Sequence, residues 1–476
     1  MTETLTVLPP SFWITLIILL VSATWASTRL RSGIGLPMLA VLVTAAAWYV
    51  GDWFYTGSES YLQNFKSVTI SDAWYQVAWF LTCFSVLAPL IHRSFNAKFI
   101  SQTSSVCRLA SRGINDTLLQ RRLSLIFRGC IFVWVLLVLI AIFRLGSEIR
   151  HFFFPFLSYK ADPWARDRIG GQFDSLLSLA SNLQVFVTAS FGIAAALLKN
   201  PRLRLVAFML CVLSFPYFIF DRTRNVMLSA MLPGILAWAL IRFRGSWVSK
   251  AIILAAFFLI ANFWFSFVIA NRSSMSIAEA LEKKGLDSAF DRNVRHEGLN
   301  MFEELCWVNS LTRDGIFRPS WGESYLSELV SPIPRGLWPD KPTIGLAYSV
   351  ARGQLNADMG QGATISTGMI GQGVVSFGTI LGPAFAAFLM GTWSALLARL
   401  DLQGRDFMLY GLGIILTFNL GRDITTITLY TFAFGSGLVW CLNCLSRSAS
   451  QSRDALTPSS KPLRKPSASH RTVRAS

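Results

Sequence analysis

Apolar stretches of about 20 residues, recurring from residue 11 to residue 444, constrain this chain more than any other feature. A run of that length crosses the roughly 30 Å hydrocarbon core of a bilayer as a helix. In lipid, only helices and closed barrels satisfy their own backbone groups. Eleven spans are predicted, near 11–28, 34–55, 73–91, 123–143, 173–197, 205–220, 226–241, 248–270, 366–396, 406–420 and 425–444. With only 14% charged residues and a mean hydropathy of +0.47, a soluble multidomain protein of this length is excluded. The expected fold class is an all-α polytopic membrane protein. The first run has no basic residue ahead of it and no small-residue cleavage site, so it reads as a retained helix.

The expected organisation is eight spans in 1–270, one large external loop in 271–365, three spans in 366–444 and a disordered basic tail in 445–476. Orientation follows from lysine and arginine in the connections. One set of connections, with the tail, carries 23 basic and four acidic residues, and the other carries 19 basic and 22 acidic. The first set is therefore assigned to the cytoplasm, with the N-terminus and the 271–365 loop on the outer side and the C-terminus cytoplasmic. The net charge of +17 is then an orientation signal. The Ser-, Pro-, Lys- and Arg-rich tail has nothing that reads bases, so no nucleic-acid partner is expected. Seven scattered cysteines show neither a disulfide framework nor metal-ligand spacing, and neither metal nor cofactor is expected.

Arginines on the predicted outer face run against the usual bias, and each needs a local reason. Arg222 and Arg224 lie in DRTRN between two spans, Arg422 lies in NLGRD between two others, and Arg335 lies in SPIPRGLWPDKP, residues 331–342. A looser group, Arg144, Arg150, Arg166 and Arg168, lies in the first sizeable external loop. The plainer reading of each is snorkelling or pairing with a neighbour such as Asp221 or Asp423. Together, arginines from separate helix junctions on one face can converge on a polyanion, and their planar forks suit phosphate. Four prolines make 331–342 stiff and extended, with Arg335 held between them and Lys341 close behind.

Within the loop, SIAEALEKKGLDSAF and EGLNMFEELCWVNSL are predicted as two short surface helices separated at Gly285. His296, Glu297, Glu303 and Glu304 are its densest set of groups able to move a proton, although a solvated face is the ordinary meaning of such charges. After the loop, ISTGMIGQGVVSFGTILG enters a span, with Gly378 and Gly382 spaced for close helix contact and Ser366, Thr367 and Gln372 at its outer end.

The order of DRTRN at a helix junction, a late external loop with PRGLWPDKP, and STGMIGQGVVSFGTILG entering a span resembles the oligosaccharide repeat unit polymerases of the O-antigen polymerase (Wzy) type. Arg335 to Gly345 and Arg352 to Gly362 also show the Arg-x9-Gly spacing described in such polymerases. The resemblance covers about residues 215–400 in motif and the whole chain in topology. It implies a GT-C-like membrane glycosyltransferase using undecaprenyl-diphosphate-linked oligosaccharide, with a chain-length regulator protein as a further partner. Under that reading Arg335, Arg224, Arg222, Arg422 and Lys341 bind the diphosphate. Arg335 stabilises the leaving group, and His296 or a glutamate such as Glu304 acts as base. An O-antigen ligase, with a loop histidine such as His296, and a lipid-linked oligosaccharide flippase or transporter remain the alternatives. Against the transporter stands that only Arg128 falls well inside a predicted span and that no internal repeat is seen in the sequence.

Overall fold

A computed structural model describes residues 8–99, 102–112, 117–154, 163–164, 174–220, 224–271, 276–287, 300–331, 333, 337–353, 365–403 and 406–456. Among them there is helix and no strand. The first eight long helices are α1 Pro10–Thr28, α2 Gly35–Thr56, α3 Ser67–Phe95, α4 Thr117–Leu145, α5 Asp174–Leu197, α6 Pro201–Ile219, α7 Arg224–Ala237 and α8 Trp247–Ala270. In the long connection that follows lie α9 Ile277–Lys284, α10 Met301–Arg313, α11 Glu323–Val330 and α12 Leu346–Ala351. The chain then re-enters the bundle as α13 Gly368–Gln403, α14 Phe407–Arg422 and α15 Thr426–Leu456.

Ten of these helices are long and apolar enough to cross a membrane, and α14, with 16 residues, is a shorter apolar helix beside them. At a rise of 1.5 Å per residue α14 still covers about 24 Å. Its start lies at Arg122 of α4, which pairs with Asp406 at 3.7 Å. Near its other end, the amide of Asn419 donates to the carbonyl of Asn225 at the start of α7. It therefore joins opposite ends of the bundle as the other ten do. We call the end that carries the long connection the loop face and the other the tail face.

The bundle is held by close pairing of α13 with α3, α7 with α5, α1 with α3 and α6 with α5. By contrast, α8 presents Ile252, Leu259 and Ile260 outward, the arrangement expected of a helix whose solvent is lipid. The protein is a multi-pass membrane protein, and the bilayer is its surroundings.

Three local expectations change. The helix α10 is not on the surface: Met301, Phe302, Leu305, Cys306 and Val308 are buried. Phe302 stacks on Trp74 at 4.1 Å and meets Trp53 edge-on at 5.6 Å, and Asp52 of α2 accepts the amides of Phe302 and Glu303 at 2.9 and 3.1 Å. A carboxylate on orphan amides at a helix N-terminus is favourable, and here it comes from another helix. The first of the two predicted helices does behave as expected. Ser276 caps α9 by accepting the amide of Glu279, and Gly285 ends it with φ 63°.

The second change is in α13, which is two helices. Gly378 has φ 80° and ψ −175°, so the ten residues before it form a separate, almost wholly buried half-helix. The two arms touch backbone to backbone, and a Cβ on Gly382 would lie 2.4 Å from the carbonyl carbon of Gly373. Gly382 thus serves close contact, as expected, but with Gly373, while Gly378 makes the break. The third change is at the C-terminus, where residues 445–456 continue α15 rather than beginning a tail. Ala, Gln and Arg in that stretch suit a helix extending beyond the apolar layer.

Candidate functional site

At the loop face, the segments singled out in the sequence abut one another. Asp423, just past α14, accepts the amide of Thr367 at 3.1 Å and so caps the buried half-helix of α13. Gln372 clasps the backbone of Ile424, accepting its amide at 2.9 Å and donating to its carbonyl at 3.3 Å. Arg422 is exposed, and its Nε donates to Ser366 Oγ at 2.9 Å. Among the described residues that is the hydrogen bond its side chain makes, which leaves both terminal nitrogens for an oxyanion. Asn419, three residues earlier, bonds Asn225 and Ser229 of α7. The helix end that presents Arg422 therefore lies against the helix start that carries Arg224.

A glutamate not anticipated from the sequence completes this cluster. Glu328 of α11 is 4% exposed, and the hydroxyl of Thr426 donates to its backbone carbonyl at 2.5 Å and reaches Oε2 at 3.5 Å. Burial, reinforced by the nearby charge of Asp423, raises its proton affinity to a pKa of about 7, against the lowering effect of Thr426. Asp423 is itself pushed up to about 6 by burial, although Ser366, Arg422 and the amides of Thr367 and Gly368 favour its charged form. Two neighbouring carboxyls with raised proton affinity beside an exposed arginine can accept and hold a proton next to a bound anion. The only sequence signal for Glu328 is its place in ESYLSELV, immediately before SPIPRGLWPDKP.

Glu304 lies in an adjoining cluster and is 3% exposed rather than on a solvated face. The hydroxyl of Tyr348 donates to its Oε2 at 2.6 Å, and Arg352 Nε lies 3.5 Å from the same oxygen. The Arg352 guanidinium is stacked 3.8 Å from the ring centroid of Trp307. Burial raises the Glu304 pKa, and Tyr348 and Arg352 counter it. The two clusters are joined where Ser349 Oγ accepts the amide of Ile365, next to Ser366. The ammonium of Lys341 donates to the carbonyls of Ser331 at 2.8 Å and Ile333 at 2.6 Å, so its side chain is held against the end of α11.

Of the residues picked from the sequence, Arg422, Glu304 and Lys341 thus stand at the loop face. The side chain of Arg224 and residues Arg222, His296, Glu297 and Arg335 lie outside the described residues. No family model, curated protein or solved structure matches the chain.

The raised carboxyls fix a sign for stability. Between the ordinary carboxylate range and about pH 7, the native chain holds protons on Glu328 and Asp423 that the unfolded chain has lost. Stability contributed by these groups is therefore full at the acid end of that window and falls as pH rises through it. We expect the unfolding temperature of the detergent-solubilised protein to drop between about pH 5 and about pH 8, and the drop to shrink in Glu328→Gln. A flat profile in the parent protein, or the same slope in both, would contradict the assignment.

Proposed function

We propose that the chain joins oligosaccharide repeat units carried on undecaprenyl diphosphate, at the membrane face that holds residues 271–365. The observation that carries this reading is that the GRD junction and the start of α15 bring together the last residue of DRTRN, the glycine-rich entry to α13 and the helix that precedes PRGLWPDKP. The contacts are Asn419–Asn225, Arg422–Ser366, Gln372–Ile424 and Thr426–Glu328.

In this reaction an acceptor hydroxyl attacks the anomeric carbon of the donor. A new C–O bond forms as the bond from that carbon to the diphosphate oxygen breaks, and the diphosphate leaves with the electron pair. Arg422, with Arg224, Arg222 and Arg335, neutralises the charge that builds on that oxygen. Glu328 takes the proton of the hydroxyl: its pKa of about 7 is matched to neutral conditions, and its long contact to Thr426 leaves a lone pair open. Glu304, engaged by Tyr348 and Arg352, is assigned to hold the site's shape instead.

Arg335→Lys tests the proline-held arginine. It keeps the charge and loses the two-pronged fork, so activity should fall about a hundredfold, the order of about 3 kcal/mol for one preorganised donor. Arg166→Lys should be nearly silent. Polymer formation is the measurement, and near-normal polymer from Arg335→Lys would remove that residue from the site.

The reading also places the loop face in the periplasm of a bacterial inner membrane. A cysteine introduced in residues 340–360 of a cysteine-free chain should react with a membrane-impermeant reagent in intact spheroplasts, and one in 445–476 should not. Reversed labelling would put the site on the wrong side for this substrate.

One observation favours a second reading. The break at Gly378 makes α13 a discontinuous helix beside the candidate site, a feature that transporters use to bind substrate. A transporter would move lipid-linked glycan without making a glycosidic bond, and that outcome separates the two.

A further inference from the structure

A second feature lies away from the loop face and does not depend on the proposed reaction. Gly192 of α5 and Gly234 of α7 meet backbone to backbone, with a Cβ on Gly234 falling 2.6 Å from the Cα of Gly192. This contact brings α5 and α7 together backbone to backbone, with α6 packed on α5 and α8 beside the end of α7. Between the four helices runs an open groove of about 880 Å³. Its walls include Phe208, Phe215 and Met231, and at its tail-face end stand Arg204 and Arg242. Phe215 is eleven residues along α6 from Arg204, about 16 Å at helical rise, which is half of a roughly 30 Å hydrocarbon core. The groove therefore has the length of one leaflet.

The cationic end is built, not incidental. The turn that presents Arg242 is π-helical, Trp238–Arg242, and closes with the amide of Phe243 donating to the carbonyl of Trp238 at 2.8 Å. Trp238 also lines the groove and stacks on Phe243 at 5.3 Å, at the level where indole rings anchor a helix to the membrane interface. Among the described residues neither Arg204 nor Arg242 forms an ion pair. The two flanking connections, 199–204 and 242–250, contain no acid.

We propose that this groove holds one anionic glycerophospholipid. Its phosphate sits between Arg204 and Arg242, Trp238 lies at the glycerol level, and an acyl chain runs along Phe208 to Phe215 and Met231. Charge complementarity selects an anionic headgroup, and the one-leaflet length selects an acyl chain over a polyprenyl chain, which far exceeds it.

Native mass spectrometry of the full chain, released from neutral detergent with phosphatidylglycerol and phosphatidylcholine of identical acyl chains, tests this. The parent protein should retain one phosphatidylglycerol in preference to phosphatidylcholine. Arg204→Gln with Arg242→Gln should lower that preference about thirtyfold, at about 1 kcal/mol per interfacial arginine. Arg202→Gln with Arg244→Gln, on the same face but outside the groove, should leave it unchanged. Ala195→Phe, which fills the groove and spares both arginines, should lose the bound lipid. No preference in the parent, an equal loss in both double variants, lipid retained by Ala195→Phe, or displacement of phosphatidylglycerol by equimolar undecaprenyl phosphate would each overturn the proposal.

Discussion

Glu328→Gln should lower polymer formation about a thousandfold, within the range of about 10² to 10⁴ that a positioned base contributes. The substitution keeps the shape of the side chain and removes its ability to accept a proton. Because Glu328 is buried beside Asp423, a neutral amide also relieves the cost of a second negative charge there. The variant should therefore be at least as stable as the parent at about pH 8, where the parent's Glu328, with its pKa of about 7, is charged. Lost activity with preserved or improved stability is the signature of chemistry, whereas a structural role would lower both. In the parent protein, activity should rise with pH through about 7 as Glu328 loses its proton. Polymer made at the parent rate by a well-folded Glu328→Gln protein would exclude Glu328 as the base.

The second large effect is structural. Gly382→Val should prevent accumulation of folded protein, because any Cβ there lies 2.4 Å from the backbone of Gly373 and no side chain can yield to admit it. The arms of α13 would have to separate. That separation would pull the half-helix away from Asp423 and Gln372, which hold it at its start. Gly378→Ala makes the useful comparison. Its nearest outside atom, Pro319 Cγ, is 3.7 Å away, so the cost is backbone strain alone: φ 80° with ψ −175° is a region nearly confined to glycine, at about 1–3 kcal/mol. Fluorescence-detected size exclusion should show a monodisperse peak for Gly378→Ala and little or none for Gly382→Val. A normal peak for Gly382→Val would mean that the two arms do not touch.

These two residues also mark where sequence reading stops. Span positions were legible, because a helix in lipid needs a minimum length of apolar residues and little else; the eleven predicted stretches coincide with α1–α8 and α13–α15. The break at Gly378 was hidden by the same logic, since an apolar run with several glycines reads as one tightly packed span. The burial of α10 was hidden because MFEELCWVNSLTR carries two glutamates and an arginine. The partners that allow such charges inside the fold, Asp52 on the helix amides and Tyr348 and Arg352 on Glu304, come from distant segments. Arg422 was visible as a charge out of place for its face. Glu328 was not, because its environment is made by α15 and by Asp423, about a hundred residues downstream.

The most direct test of the central claim is a reaction with defined parts. Purified protein, in liposomes, receives undecaprenyl-diphosphate-linked oligosaccharide and nothing else, and the products are resolved by size and by lipid. The account predicts a ladder of lipid-linked glycan with one undecaprenyl diphosphate released for each new glycosidic bond. Single-repeat lipid that crosses the membrane unchanged, or glycan that is transferred only when lipid A core is supplied, would contradict it.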